Sequence, residues 1–231
     1  MEFVHVPVLL QEVLQYLEIR PDGIYADGTA GGAGHSLAIA KQLTPSGHLY
    51  AFDRDPDAVE TATERLAGYP ATVIHANYDE MEHVLKEKGV PGLDGVLMDL
   101  GVSSHQLDEA SRGFSFHTDA PLDMRMSQTG MTAADLVNTA EESELSRILF
   151  TYGEERFARN IARKIVAARE IAPIRTTKEL AEIILSGVPA QQRRAKNPCR
   201  QCFQAIRIAV NGEFEHLEAG LKAAFSMLKP G

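Results

Sequence analysis

The run Asp27-Gly28-Thr29-Ala30-Gly31-Gly32-Ala33-Gly34-His35-Ser36 follows directly on the short apolar stretch Ile24-Tyr25-Ala26. A glycine-rich turn between a strand and a helix lets a ligand come close to backbone N–H groups. Dinucleotide sites use the same physics, but the spacing is not Gly-x-Gly-x-x-Gly, and Asp27 would repel a pyrophosphate while suiting a cationic amino-acid moiety. The pattern favours a sulfonium cofactor over a nicotinamide dinucleotide, with a purely structural turn as the competing reading. Asp53, at the end of the next apolar run, is placed to accept hydrogen bonds from ribose hydroxyls, although Arg54 and Asp55 beside it also suit a surface carboxylate. Tyr78, in Asn77-Tyr78-Asp79, reads as a stacking wall for adenine or as a core aromatic. Asp99, in Met98-Asp99-Leu100-Gly101, is the candidate reaction centre. An exocyclic base amine is a weak nucleophile, so a site must fix its N–H groups with acceptors while the methyl lies in line. A carboxylate that merely caps the following loop is the alternative.

These residues need a sheet to bring them to one edge. An opening helix over about Leu9–Glu18 and the turn Pro21-Asp22-Gly23 lead into a first strand at Ile24–Ala26. His48–Phe52, Ala71–His75 and Gly95–Met98 supply three more strands, with helical segments at 37–43 and 57–66 between them. This alternation predicts a parallel, right-handed α/β sheet. After Asp99 the pattern turns to loops and helices, which predicts a cofactor-binding core over 1–106 and an all-helical insertion over 107–198. Thr132 with Asp135, and Thr176 with Glu179, have the spacing of capping boxes and mark helix starts inside it. Over 199–231 one long helix is expected to return to the core, with Phe203, Ile206, Val210, Phe214, Leu217, Leu221, Phe225 and Leu228 as the stripe that packs on the sheet. Leu228-Lys229-Pro230-Gly231 reads as a helix ending that leads into a strand, so the sheet is expected to be incomplete at the C-terminus.

Composition sets the wider frame. Apolar residues make up 44% and charged residues 24% of the 231, which is ordinary globular usage, and no apolar run approaches a bilayer-spanning length. The opening MEFVHVPVLLQEVL lacks a basic leader and a cleavage site, so a cytoplasmic location and no membrane association are expected. Cys199 and Cys202 are the only cysteines; one C-x-x-C pair is half a zinc site, and free, incidental thiols with no bound metal are expected in a reducing compartment. The formal charge of −9 is unevenly spread: residues 1–150 carry 9 Lys and Arg against 24 Asp and Glu, whereas 151–210 carry 12 against 5. A basic segment on an acidic body suits a face that meets phosphates, and a solvated helical face would look the same. Arg193, Arg194 and Lys196 are its densest cluster.

Read together, the motifs resemble the RsmH (MraW) family of bacterial 16S ribosomal RNA cytosine-N4 methyltransferases. The resemblance is carried by His5-x-Pro7-Val8-Leu9-Leu10, the Asp27–Ser36 turn, Phe52-Asp53-Arg54-Asp55, Asp99 to Ser104 with Gln106-Leu107-Asp108, Arg112-Gly113-Phe114-Ser115-Phe116, Pro121-Leu122-Asp123-Met124-Arg125-Met126, Tyr152 to Ala158, and Phe203 to Ile208. It implies a class I methyltransferase (Rossmann-like) fold and S-adenosyl-L-methionine as cofactor, contacted by Ala33, Gly34, His35, Asp53, Tyr78, Asp99 and Gln106. On its own, His35 would read as a capping or packing residue. The resemblance also implies that Asp123 and Arg125 hold a flipped base or order their loop, that the helical insertion recognises the rRNA of the small subunit, and that the oligomeric state stays open, a homodimer included. Departures from the family pattern are His105 for Pro, Cys202 for Thr and Gln201 for Arg, the last removing a charge that could meet RNA phosphate. The family continues beyond Leu-x-Pro-Gly into further strands. Two other readings are an oxidoreductase on the same sheet topology and an RNA-binding fragment or assembly factor whose catalysis is impaired.

Overall fold

The chain enters through helix α1 (Leu10–Leu17) and then alternates: β1 (Ile24–Asp27), α2 (Gly34–Ala40), β2 (His48–Asp53), α3 (Pro56–Arg65), β3 (Ala71–His75), α4 (Met81–Glu87) and β4 (Gly95–Leu97). The structure is a computed structural model and describes residues 7–195 and 197–230, the side chains of 194 and 195 excepted. The four strands form one sheet in the order β3-β2-β1-β4, and every pairing is parallel. This is the sheet that the alternation predicts.

Successive residues of a strand face opposite sides, so a sheet covered on both faces must be apolar at consecutive positions. Tyr25, Leu49 and Ala51 face one side, against Leu14 and Leu17 of α1, Ile39 of α2 and Ala62 of α3. Ala26 and Phe52 face the other, against Met81 and Leu85 of α4. The strand ends are therefore fixed by core packing on both faces. Their carboxyl termini, Asp27, Asp53, His75 and Leu97, share one edge, where parallel sheets hold ligands.

Residues 104–213 form a second unit, and residues 1–103 with 214–231 form the first. The second is built of α5 (Ser104–Asp108), α6 (Ala133–Thr139), α7 (Glu142–Thr151), α8 (Ala158–Arg169), α9 (Thr177–Ser186), α10 (Ala190–Ala195) and α11 (Pro198–Asn211), and α12 (Glu213–Met227) carries the chain back. Both expected capping boxes are present: the hydroxyls of Thr132 and Thr176 accept from the N–H groups of Asp135 and Glu179, whose carboxylates accept from the cap N–H in return. Asn197 caps α11, with Pro198 at its first position.

The C-terminal stripe is a correction. It is not one helix: α11 stops at Asn211, and Gly212 takes the left-handed conformation (φ 58°) that ends helices. Phe203 and Ile206 are buried within α11 of the helical unit. On α12 Phe225 at 83% exposure, Leu221 at 56% and Phe214 at 50% face solvent, Leu217 is half-buried, and the buried positions are Gly220, Ala223, Ala224 and Met227. The reason is the close approach of α12 to Tyr78, whose ring lies where a Cβ on Gly220 would sit. Small residues permit that approach and large ones do not. Beyond α12, Leu228 pairs with Leu93 in a parallel bridge beside β4.

Candidate functional site

The glycine turn is held by two carboxylates. Asp27, only 1% exposed, accepts from the Ser36 hydroxyl at 2.6 Å and from the Thr29 N–H at 3.0 Å. Burial pushes its carboxyl above the usual carboxylate range, against the lowering effect of those bonds. Asp53 accepts from the Gly31 N–H at 2.8 Å and from the Asp55 N–H at 2.9 Å, and burial raises its pKa as well. One bond per carboxylate oxygen leaves each Asp53 oxygen a further acceptor site.

The four glycines do different things. Gly28 makes room for protein, since a Cβ there would lie 2.9 Å from Cβ of Tyr78 and 3.3 Å from Cγ of Met98. Gly34 likewise accommodates the Pro7 ring. Gly31 adopts φ 49°, and a Cβ on Gly31 or Gly32 would meet nothing nearer than 3.8 Å. Gly31 and Gly32 are thus where a ligand can approach the backbone. Ala33 is fully buried at φ 57°, and its N–H donates to the Ala30 carbonyl at 2.7 Å. It shapes the turn.

His35 is 8% exposed, and its Nε2 donates to the Val8 carbonyl at 2.9 Å. A carbonyl only accepts, so in the neutral ring the proton sits on Nε2 and Nδ1 carries a lone pair. Nδ1 lies 3.8 Å from Oδ2 of Asp99. The Asp99 N–H donates to the Thr29 hydroxyl at 2.7 Å, and its side chain is 54% exposed. Thr29 therefore ties the end of β4 to the turn that Asp27 organises. Tyr78 follows β3 on a single 3₁₀ turn capped by Asn77, with its half-buried ring against Gly220 of α12. Beside it, Asp79 pairs with His216 at 2.6 Å. The structure thus brings Gly34, His35, Asp53, Tyr78 and Asp99 to one sheet edge. Gln106 lies on α5 of the helical unit and is 5% exposed.

The helical unit carries a second constellation. Asp123 and Arg125 pair with each other: Nε reaches Oδ1 at 3.0 Å and Nη2 reaches Oδ2 at 2.7 Å, while the Arg125 N–H also donates to Oδ1. Burial works to raise the Asp123 carboxyl, but the Arg125 bonds hold it below the usual range. Arg112, 8% exposed, donates to the carbonyls of Arg125 and Met126 at 2.9 and 3.1 Å. Arg112 and the Asp123–Arg125 pair thus bond within one stretch of backbone.

Arg193 is exposed, and its Nε donates to the Val188 carbonyl. The Arg194 side chain, Lys196 and His5 lie outside the described residues. Gln201 has a role that its sequence position does not suggest: its amide donates to the carbonyls of Gly153 and Glu154, pinning the turn in which Glu154 adopts φ 52°. Cys199 and Cys202 are buried, which pushes the Cys199 thiol up to about 11 and Cys202 well above its usual value. Such thiols stay protonated near neutrality. Among the described residues, no group of His, Cys, Asp and Glu is arranged to hold a metal ion, and no helix is long and apolar enough to cross a membrane.

Sequence reasoning passed over Thr29, Ser36 and Asn211. Thr29 and Ser36 lie inside the glycine motif, where a hydroxyl beside a buried carboxylate was the available signal. Asn211 gave none, because its bonds to Met126 and Met124 join residues 85 and 87 apart.

A family model described as the MraW methylase family matches residues 2–231. A protein of Paenibacillus sp. (strain JDR-2) named ribosomal RNA small subunit methyltransferase H is 53% identical over 239 aligned positions, covering 99% of this chain and 76% of that protein. Proteins of the same name from Lachnospira eligens and Geobacter sulfurreducens are 52% and 54% identical, each covering all of this chain, with 74% and 76% of their own lengths matched.

Proposed function

The chain belongs to the MraW methylase family, and from that premise we propose that it transfers a methyl group from S-adenosyl-L-methionine to the N4 amine of a cytidine in the 16S rRNA of the small ribosomal subunit. The observation that carries this reading is the junction of Asp99, His35 and Thr29 at the mouth of the glycine turn. The half-exposed carboxylate of Asp99, with His35 Nδ1 3.8 Å from its Oδ2, offers acceptor oxygens to a group bearing N–H bonds.

The residues present fit the cofactor. Gly31 and Gly32 leave the backbone open, Asp53 keeps acceptor capacity for two ribose hydroxyls, and Tyr78 offers a ring beside the same edge. Asp27, with its carboxylate buried under the turn, supplies negative charge that favours a cationic ligand over an anionic one. S-adenosylmethionine supplies an electrophilic methyl group when bound. Asp99 accepts from the amine, holds its nitrogen in one orientation, and takes the proton that the nitrogen loses as its bond to the methyl carbon forms. The helical unit, with its basic segment and the ordered loop from Arg112 to Met126, meets the RNA.

Transfer of tritium from labelled S-adenosylmethionine to small-subunit particles tests the assignment. The chain labels the RNA, and Asp99→Asn, which keeps the shape but loses the charged acceptor, lowers turnover by roughly 10²-fold or more. RNA retention without label, under conditions in which a positive control transfers, would show a binding protein instead.

A further inference from the structure

Asn211 is the last residue of α11 and is 3% exposed. Its side-chain oxygen accepts from the Met126 N–H at 2.8 Å, and its amide donates to the Met124 carbonyl at 2.7 Å and to the Arg207 carbonyl at 2.8 Å. The amide therefore pairs with residues 124 and 126 as a neighbouring strand would, one donor to one carbonyl and one acceptor to one N–H. Residue 125 lies between the two anchored peptides. Met124, held at φ 62°, is a strained position for a side-chain-bearing residue, and its N–H is taken by the Arg112 carbonyl at 3.0 Å. The base of the anchor is fixed as well: α11 ends at Gly212, and Arg207 makes a two-bond pair with Glu213 at 2.7 and 2.8 Å just across that break. Two clamps thus meet on one backbone stretch, the guanidinium of Arg112 on the carbonyls of 125 and 126 and the amide of Asn211 on 124 and 126.

We propose that Asn211 is a positioning residue for methyl transfer: it sets the backbone register of residues 123–126, and so aims the Asp123–Arg125 pair at the RNA base. This rests on the reading that the Arg112–Met126 loop meets the substrate. Apolar contact would not do the same job. Only a planar amide offers donor and acceptor at the spacing that Met124 and Met126 present, and a carboxylate of the same shape would place an oxygen against the Met124 and Arg207 carbonyls.

Three substitutions separate the outcomes. Asn211→Asp keeps the side-chain shape and loses the donor; Arg125→Ala removes the group that the register aims. Asn160→Ala is the control, since Asn160 is another bonded amide of the helical unit, donating to the Gly187 carbonyl at 2.6 Å and lying outside the loop. Turnover on small-subunit particles is measured together with cofactor affinity and with hydrogen exchange of the peptide covering 121–130. In Asn211→Asp, turnover falls at least tenfold, cofactor affinity stays within twofold, and exchange over 121–130 accelerates. In Asn160→Ala, turnover stays within threefold. Equal losses in Asn211→Asp and Asn160→Ala would reduce Asn211 to a general packing role. Full activity with unchanged exchange in Asn211→Asp, while Arg125→Ala is impaired, overturns the proposal and leaves the loop reading standing. Full activity in Arg125→Ala overturns the loop reading itself.

Discussion

Asp27 places a carboxylate where water hardly reaches, and it accepts from the N–H and hydroxyl of Thr29 and the hydroxyl of Ser36. Because burial raises its pKa, the native state holds a proton that the unfolded chain has already released, so this group's contribution is fully present below the usual carboxylate range. It is lost as pH rises through the raised native value. Asp53 acts in the same direction. Asp94 and Asp123 act in the opposite one, with stability that is lost as pH falls through their depressed values. Asp27→Asn should therefore remove one destabilising slope. Urea unfolding at several pH values is expected to show the variant gaining stability over the parent as pH rises above the usual carboxylate range. Above the pH at which native Asp27 releases its proton, cofactor affinity should fall about tenfold, equivalent to roughly 1.4 kcal/mol, because the buried negative charge is gone. Parallel pH profiles for the two proteins would refute the assignment. Asp53, Tyr78 and Asp99 were legible in sequence because each follows an apolar run, and chain-local pattern is enough to find a strand end. The Thr29 hydroxyl that receives the Asp99 N–H was not, since the bond joins residues 70 apart.

At the level of elements, caps and periodicities report local geometry. Thr176 and Glu179 gave away the start of α9 because a capping box is complete within four residues. Thr176→Ala should cost about 1 kcal/mol in urea unfolding; no loss would mean that the cap is redundant. The C-terminal stripe misled for a physical reason. Hydrophobic spacing runs straight through Gly212, and the large side chains that define it on α12 are not the ones buried. What brings α12 to the sheet is the face of Gly220, Ala223, Ala224 and Met227, which has helical spacing but is built mostly of small residues that a search for large apolar side chains passes over. Gly220→Ala separates the two influences. Alanine raises helix propensity by about 1 kcal/mol, yet its Cβ would occupy space that the Tyr78 ring fills. The expected result is unchanged helix content by circular dichroism with cofactor affinity reduced severalfold. Unchanged affinity would mean that the Tyr78 ring is not part of the site.

For the whole molecule, the sequence announced an acidic body with a basic segment, and the structure assigns that segment to helices of the 104–213 unit. Net charge says nothing about which groups are free to meet phosphate. Arg193 also serves its own turn, and Arg125 and Arg112 are engaged by Asp123 and by backbone carbonyls. Replacing Arg193, Arg194 and Lys196 together should weaken RNA binding and flatten its dependence on salt, by roughly one unit of slope for each phosphate no longer neutralised, without altering cofactor affinity. An unchanged slope would return the segment to a solvated face. The reaction is defined by the atom that receives the methyl group. Small-subunit particles incubated with the chain and isotope-labelled S-adenosylmethionine can be digested to nucleosides and resolved by mass spectrometry. Label is expected in N4-methylcytidine of the 16S rRNA, and its loss in Asp99→Asn; label in any other nucleoside, or none, contradicts this assignment.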